Sequence, residues 1–363
     1  VRRPGGTATG GSTIDPVDGS FVTETGWTQL QPLGEPQLAA IEAVNAELQQ
    51  LSEVAPASMA IARHGQPIAT RTVGTDITGQ PLATDTPFRV ASVSKVATMA
   101  TVLALFDADI VDLDVPLALQ WPLPAAPGDE RFGAITPRHL LQHRSGLSAM
   151  RPTFFGGESA NWHDSALAAV RASLGSDPGT AFRYSNANFV LLGELIEAAS
   201  GLTYEQAVRT LVLEPLGITS ARLRRTAEFP AGCPSYQITL DRTYMEALGP
   251  AGAWEMSAVD ATRLVAAVQP TAARQLLTPA SVAAARQPMD VPSPDADWTY
   301  GLGLMLFGDR WGHTGTIESV SAFVLNMPNG YTLAVLAGRE LNSGEGLIRR
   351  FAGSLDEVAR LSA

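Results

Sequence analysis

Lysine is all but missing from this chain. Among 363 residues it appears once, as Lys95, and every other basic side chain is arginine. Cysteine is as scarce: Cys233 stands alone, so no intramolecular disulfide forms and cysteine usage leaves the compartment open. Its neighbours Ala231, Gly232 and Pro234 read as a turn and supply no base, which argues against a cysteine nucleophile. No run of 18 or more apolar residues occurs, so no membrane-spanning helix is expected. A basic stripe is also absent. The net charge of −11 and a pI near 4.9 exclude nucleic acid as a partner, because nothing neutralises phosphates. The Gly-x-Ser-x-Gly elbow of the Ser-His-Asp lipases is missing, as are Gly-rich phosphate loops. Carboxylates are numerous but none sits in a glycosidase pattern. The first residue is Val1, which reads as a leader removed or left out, and nothing visible is itself a signal peptide.

What is present is globular, with 45% hydrophobic and 17% charged residues. The length suits one large α/β unit or two lobes sharing a cleft. Residues 1–35, rich in Gly, Thr and Pro, read as an extended arm. Leu38, Ile41, Val44, Leu48 and Leu51 then recur at helical spacing. Ser58 to Arg63 and Ile68 to Val73 flank a tight turn as two strands, and Val320 to Asn326 and Tyr331 to Gly338 flank another at Met327-Pro328-Asn329-Gly330. A final amphipathic helix is expected from Gly346 to Leu361. Between these ends the periods are helical: Val96–Phe106, Pro137–His143, Asp164–Leu174, Asn188–Ala199, Tyr204–Leu211 and Ala258–Val268. The fold class is therefore α/β (α+β): an antiparallel sheet formed from both termini, flanked by helices, with a mainly helical lobe inserted. The expected lobes are 36–95 with 286–363, and 96–285, with the active site in the cleft between them.

Three short stretches carry chemistry. Ser92-Val93-Ser94-Lys95 opens the helix through Met99, Val102 and Phe106, and a serine and lysine at i and i+3 share one helical face. Arginine cannot give up its proton, whereas a desolvated lysine can act as a base, and here the only lysine follows a serine by three residues. Backbone N–H groups at the helix start favour an oxyanion beside Ser92. Tyr184-Ser185-Asn186 follows a turn at Pro178-Gly179-Thr180. A phenol near a lysine ammonium has its phenolate favoured, which suits Tyr184 to relay a proton. Asn186 offers both a donor and an acceptor to a substrate amide. His313-Thr314-Gly315-Thr316 precedes the last hairpin; Gly315 allows close approach of substrate to the backbone, and the Thr316 N–H is a candidate second oxyanion donor. Each stretch alone reads equally as a cap, a loop or a strand entry. His139 and His143 at i, i+4 lack the glutamate and third ligand of a metal site, so a structural place beneath the cleft is expected and no metal.

In this order the three motifs resemble the superfamily of class C β-lactamases, serine D-Ala-D-Ala carboxypeptidases and family VIII esterases, over roughly residues 55 to 340. Leu140-Leu141-Gln142-His143-Arg144-Ser145-Gly146-Leu147 looks like the family's leucine-rich His-x-Ser-Gly-Leu segment. The resemblance implies a β-lactamase/transpeptidase-like fold and a serine hydrolase without a cofactor. In it Ser92 is acylated, Lys95 and Tyr184 share the proton work, and Asn186, His313, Thr314, Gly315 and Thr316 bind substrate. The implied substrate is a small molecule or short peptide, and the expected activity is that of a D-Ala-D-Ala carboxypeptidase-like, penicillin-recognising hydrolase. The alternatives are a carboxylesterase on small acyl esters and a non-catalytic peptidoglycan-binding module. A periplasmic or secreted location follows from the resemblance only, and oligomeric state stays open. Where class C β-lactamases carry lysine this chain has His313, mostly neutral at pH 7, so a substrate carboxylate is held less firmly. Glu318 close behind is expected either to repel carboxylates or to raise the histidine's pKa.

Overall fold

The computed structural model describes residues 12–14, 21–236, 243–292, 297–341 and 344–361. Its centre is a ten-stranded antiparallel sheet in which the two ends of the chain meet. Strand Ala57–Arg63 pairs with Tyr331–Ala337, placing Ile61 opposite Leu333 and Met59 opposite Val335. Val320–Asn326 and Arg310–Ile317 follow on one side, and Gln66–Val73 on the other. The central strands are buried on both faces, and the period-two alternation of side chains sorts them into two cores. Met59, Ile61, Phe323, Leu325, Leu333 and Val335 face the helices Glu35–Ser52 and Ala352–Arg360. Ala60, Ala322, Val324, Ala334 and Leu336 face the larger core, which holds helices Ser94–Asp107, Asn186–Ser200 and Ala258–Val265. The last hairpin turns where Gly330 adopts φ +87°; a Cβ there would lie 2.3 Å from the His64 ring.

The α/β (α+β) expectation holds, with four differences in detail. The expected arm over residues 1–35 is not wholly extended chain. Ser12–Ile14, Phe21–Thr23 and Thr28–Gln29 extend the sheet from the edge of Gln66–Val73, and Trp27 is buried with its Nε1–H donating to Asn45 Oδ1. That short polar strands can be recruited by an open edge is a tertiary effect, invisible to local pattern. The final helix is two, Gly344–Arg350 and Ala352–Arg360, joined at Phe351, although Leu347, Phe351, Leu355 and Val358 are all buried as their spacing predicts. A small second sheet of Phe88–Arg89, Trp254–Met256 and Arg222–Leu223 was not expected; its strands are two or three residues long. The helix expected over Pro137–His143 stops at Leu141, because His143 takes φ 55°. No described helix is long and apolar enough to cross a membrane.

Candidate active site

The site forms where the strand Phe88–Arg89 runs into the buried helix Ser94–Asp107. Between them lies a 3₁₀ turn, Ala91–Val93, so Ser92 sits just ahead of the α-helix rather than in its first turn. Ala91 is forced to φ 47°, a strained value for a residue with a Cβ. Ser94 pins the turn from below, its Oγ accepting the Trp254 N–H at 3.1 Å. Every side chain from Ser94 to Leu103 is buried, which draws Lys95 into the interior with them.

Lys95 Nζ lies 3.0 Å from Ser92 Oγ, 2.8 Å from Asn186 Oδ1 and 2.7 Å from the Ala251 carbonyl oxygen. No carboxylate is among these partners, and burial pushes the amine well below its ordinary pKa. An ammonium would donate to all three oxygens. A neutral amine has two N–H donors and one lone pair; two of its partners are carbonyl oxygens, which only accept. In that form both N–H groups are spent on them, and the lone pair is left to accept the Ser92 O–H. The spacing thus joins the lysine to the serine so that, once deprotonated, its electron pair meets the serine proton.

Tyr184 lines the same cleft as Ser92, near enough for the serine hydroxyl to act on its phenol. The expectation of a favoured phenolate is overturned. Lys95 Nζ is 5.0 Å from the ring centre, but burial pushes the amine well below its ordinary pKa and the phenol above its own. Tyr184 is a protonated phenol. Asn186 starts the helix Asn186–Ser200, which Ser185 caps by accepting the Ala187 N–H. Its Oδ1 is taken by Lys95, which turns its N–H₂ outward as a donor.

His143 lies beneath, its ring 4.1 Å from that of Tyr184. Its Nδ1 accepts the Ser185 N–H at 3.2 Å and the Asn188 side-chain N–H at 2.9 Å. Ser145 Oγ donates to Asn188 Oδ1, and Ser185 Oγ to the Ser148 carbonyl. The His143-x-Ser145-Gly146-Leu147 segment is thus a platform for Tyr184, Ser185 and Asn188, as expected of a structural histidine. His139 serves elsewhere, in the capping box of Pro137–Leu141 with Thr136. A group able to hold a metal does occur on helices Trp162–Arg171 and Asn186–Ser200, where His163, Glu194 and Glu197 converge.

The strand Arg310–Ile317 supplies the opposite wall. Its hairpin to Val320–Asn326 turns through Glu318 and Ser319 with Ile317 opposite Val320. In a two-residue hairpin that closing pair exchanges hydrogen bonds, so the next pair, Thr316 and Ser321, does not. The Thr316 N–H therefore turns away from its partner strand, to the edge that meets the Ala91–Val93 turn. Gly315 allows that meeting. A Cβ there would lie 2.3 Å from the Val90 carbonyl oxygen and 3.0 Å from the Ser92 nitrogen. The close approach it permits is thus to the serine's own turn, where substrate approach had been expected.

His313 is buried with both nitrogens engaged. Nδ1–H donates to the Thr314 carbonyl, and Nε2 accepts the Tyr300 O–H at 2.8 Å. Burial, and next the nearby Lys95, push it down to about 3, so it carries no charge at neutral pH. Glu318 does not raise it; that carboxylate acts instead on Tyr244, whose hydroxyl accepts from Arg89. Thr314 Oγ1 donates to Met305 Sδ.

Ser92, Tyr184, His313, Thr314 and Thr316 line one cleft of about 520 Å³. Phe182, Arg183, Trp298, Met305 and Glu345 complete it. Trp298 is in the lining, whereas Phe154 and Trp254 are core. Phe182 and Glu345 in the cleft, and Tyr300 buried behind His313, were not foreseen; nothing in their local sequence marks them, since each is brought there by tertiary packing.

With this geometry in hand, the chain can be compared with known proteins. The family model described as Beta-lactamase matches residues 44–353. The chain is 32% identical over 155 residues to penicillin-binding protein 4* of Bacillus subtilis, a match covering 40% of this chain and 32% of that protein. It is 26% identical over 179 residues to D-aminopeptidase of Gluconobacter oxydans, covering 46% of this chain and 32% of the other. It therefore spans about a third of the length of these two relatives. Among solved structures, SurE with D-Leu superposes with a TM-score of 0.70 at 28% identity, over 90% of this chain and 77% of that one.

Proposed function

This chain belongs to the β-lactamase family, in which the proteins similar to it include a D-aminopeptidase, penicillin-binding proteins and methylbutanoyltransferases, and from that premise we propose that it hydrolyses small acyl compounds through an acyl-enzyme on Ser92. The observation that carries the reading is the buried Lys95 Nζ, 3.0 Å from Ser92 Oγ and held by the carbonyl oxygens of Asn186 and Ala251, so that its neutral form can take the serine proton. Ser92 Oγ gives its proton to Nζ as it attacks the substrate carbonyl. Carbon–oxygen bond formation leaves an oxyanion, which the N–H groups of Ser92 and Thr316 stabilise. The Asn186 amide holds the acyl side of the substrate. As the tetrahedral species collapses, the proton passes from the Lys95 ammonium through the Tyr184 hydroxyl to the leaving group. Water then attacks the ester, its proton taken by the same pair, and Ser92 is restored with release of the acid.

Amides and esters suit the cleft better than substrates recognised through a carboxylate, because His313 is neutral and its nitrogens are occupied. D-Ala-D-Ala carboxypeptidase activity and efficient penicillin turnover therefore rank below amidase, aminopeptidase or esterase activity. The test is a substrate panel of amino-acid p-nitroanilides, p-nitrophenyl esters and benzylpenicillin, run with the native protein and Ser92→Ala. Ser92-dependent turnover of the amides or esters, exceeding that of benzylpenicillin, is expected. Binding of these ligands without turnover of any would instead identify a non-catalytic module.

A further inference from the structure

The cleft has an uneven charge. Among the described residues its charged lining is Arg183 and Glu345. Arg183 is exposed and its guanidinium folds outward over Gly175, with Nη1 3.2 Å from where a Cβ on that exposed glycine would sit. Glu345, by contrast, is half-buried at the start of helix Gly344–Arg350, and its charge is felt at Tyr184. The other basic groups of the site, Lys95, His143 and His313, are buried, and burial pushes each of them below its ordinary pKa. Among the described residues the cation that shares the cleft with Glu345 is thus the exposed Arg183, whose guanidinium lies over Gly175. Beside it stand aromatic faces: Phe182 and Trp298 meet edge to face with centroids 5.9 Å apart, and Tyr184 lies on the same wall. A carboxylate beside exposed π-faces selects a cation bearing apolar bulk, and the net charge of −11 steers such molecules inward.

We infer that Glu345 holds the ammonium group of the substrate, so that the site takes compounds with a free amine and an apolar side chain, such as amino-acid amides, amino-acid esters or short peptides with an open amino end. This rests on the acyl-hydrolase reading of the same cleft. The shared chemistry is the ammonium, which belongs either to the acyl donor or to an amine that takes the acyl group in place of water. Carboxylate-bearing substrates meet a like charge at Glu345 and no cation at His313.

Binding to the full chain carrying Ser92→Ala tests this without any need for turnover. Racemic phenylalaninamide and its N-acetyl counterpart are titrated by calorimetry at pH 6.5, below the ordinary pKa of an α-amine. The same pair is then titrated into the protein carrying Glu345→Gln as well. The readout is the ratio of the two dissociation constants within each protein. The free amine is expected to bind at least about tenfold more tightly, and Glu345→Gln to bring the ratio close to one. A ratio near one with Glu345 in place, a ratio that Glu345→Gln leaves alone, or no binding of either compound at roughly 10 mM overturns the inference. Acylation of Ser92 in the native protein is measured separately, so loss of the acyl-enzyme reading is distinguishable from loss of this one. With native protein and p-nitrophenyl butyrate as acyl donor, appearance of the N-butyryl amide with release of p-nitrophenol marks the free amide as the acceptor, and its own hydrolysis without the ester marks it as the donor.

Discussion

Replacing Lys95 by Met removes one titration from the folded interior and leaves an unbranched chain of similar length in its place. The consequence is a change in how stability depends on pH. Unfolded, Lys95 binds its proton up to about pH 10.4; folded, burial without a counter-charge lowers its pKa well below that. Between the two values the unfolded state holds one proton more than the folded state. Stability then rises with pH, by about 1.4 kcal/mol per pH unit for one proton. The penalty is absent above the unfolded pKa and grows as pH falls to the folded one. Lys95→Met has no such slope. It also strips the donor from Asn186 Oδ1 and the Ala251 carbonyl, but that cost is the same at every pH. Denaturant unfolding of both proteins at pH 7, 8 and 9 should show the native protein gaining on the variant by up to about 2.7 kcal/mol. His143 and His313 do not disturb the comparison, because their ordinary pKa of 6.5 has been lowered and both are neutral across this range. Parallel curves, with a difference independent of pH, would mean that Lys95 keeps its proton in the folded protein, and the base assignment would fail.

Two further substitutions probe the same geometry. Lys95→Arg keeps a cation that cannot deprotonate, so ester or amide hydrolysis should drop more than about tenfold, or 1.4 kcal/mol in the barrier; a smaller loss removes Lys95 from the base role. Gly315→Ala drives a methyl group against the Val90 carbonyl and the Ser92 turn, at 2.3 Å and 3.0 Å. It should cost about 1–3 kcal/mol of stability together with most activity, and an unfolding midpoint and rate matching the native protein would show that the turn is not held by that strand.

The parts legible in the sequence were those set by local spacing. Ser92 and Lys95, three residues apart, had to meet if any helical turn followed, and they do so at 3.0 Å. The Val320–Asn326 and Tyr331–Ala337 segments, flanking a turn at Met327-Pro328-Asn329-Gly330, were legible as a hairpin and pair as one. The His143-to-Leu147 segment was recognisable, but its service as the floor under Tyr184 depends on contacts across some forty residues of chain. Charge states were the least legible feature. A lysine beside a tyrosine suggests a cation and a phenolate; burial of both works against each of those charges instead. The same effect silences His313, whose partner Tyr300 is named by no motif. Glu345 joins the cleft almost thirty residues beyond Thr316, the end of the third motif, and only packing brings it there.

The central claim is that Ser92 carries the acyl group. It is tested most directly by acid-quenched intact mass and peptide mapping of the native protein and Ser92→Ala after brief mixing with p-nitrophenyl butyrate. A single butyryl adduct on the peptide containing Ser92, absent from Ser92→Ala, is the predicted result. An adduct on another residue, or equal ester hydrolysis by Ser92→Ala, would contradict the account.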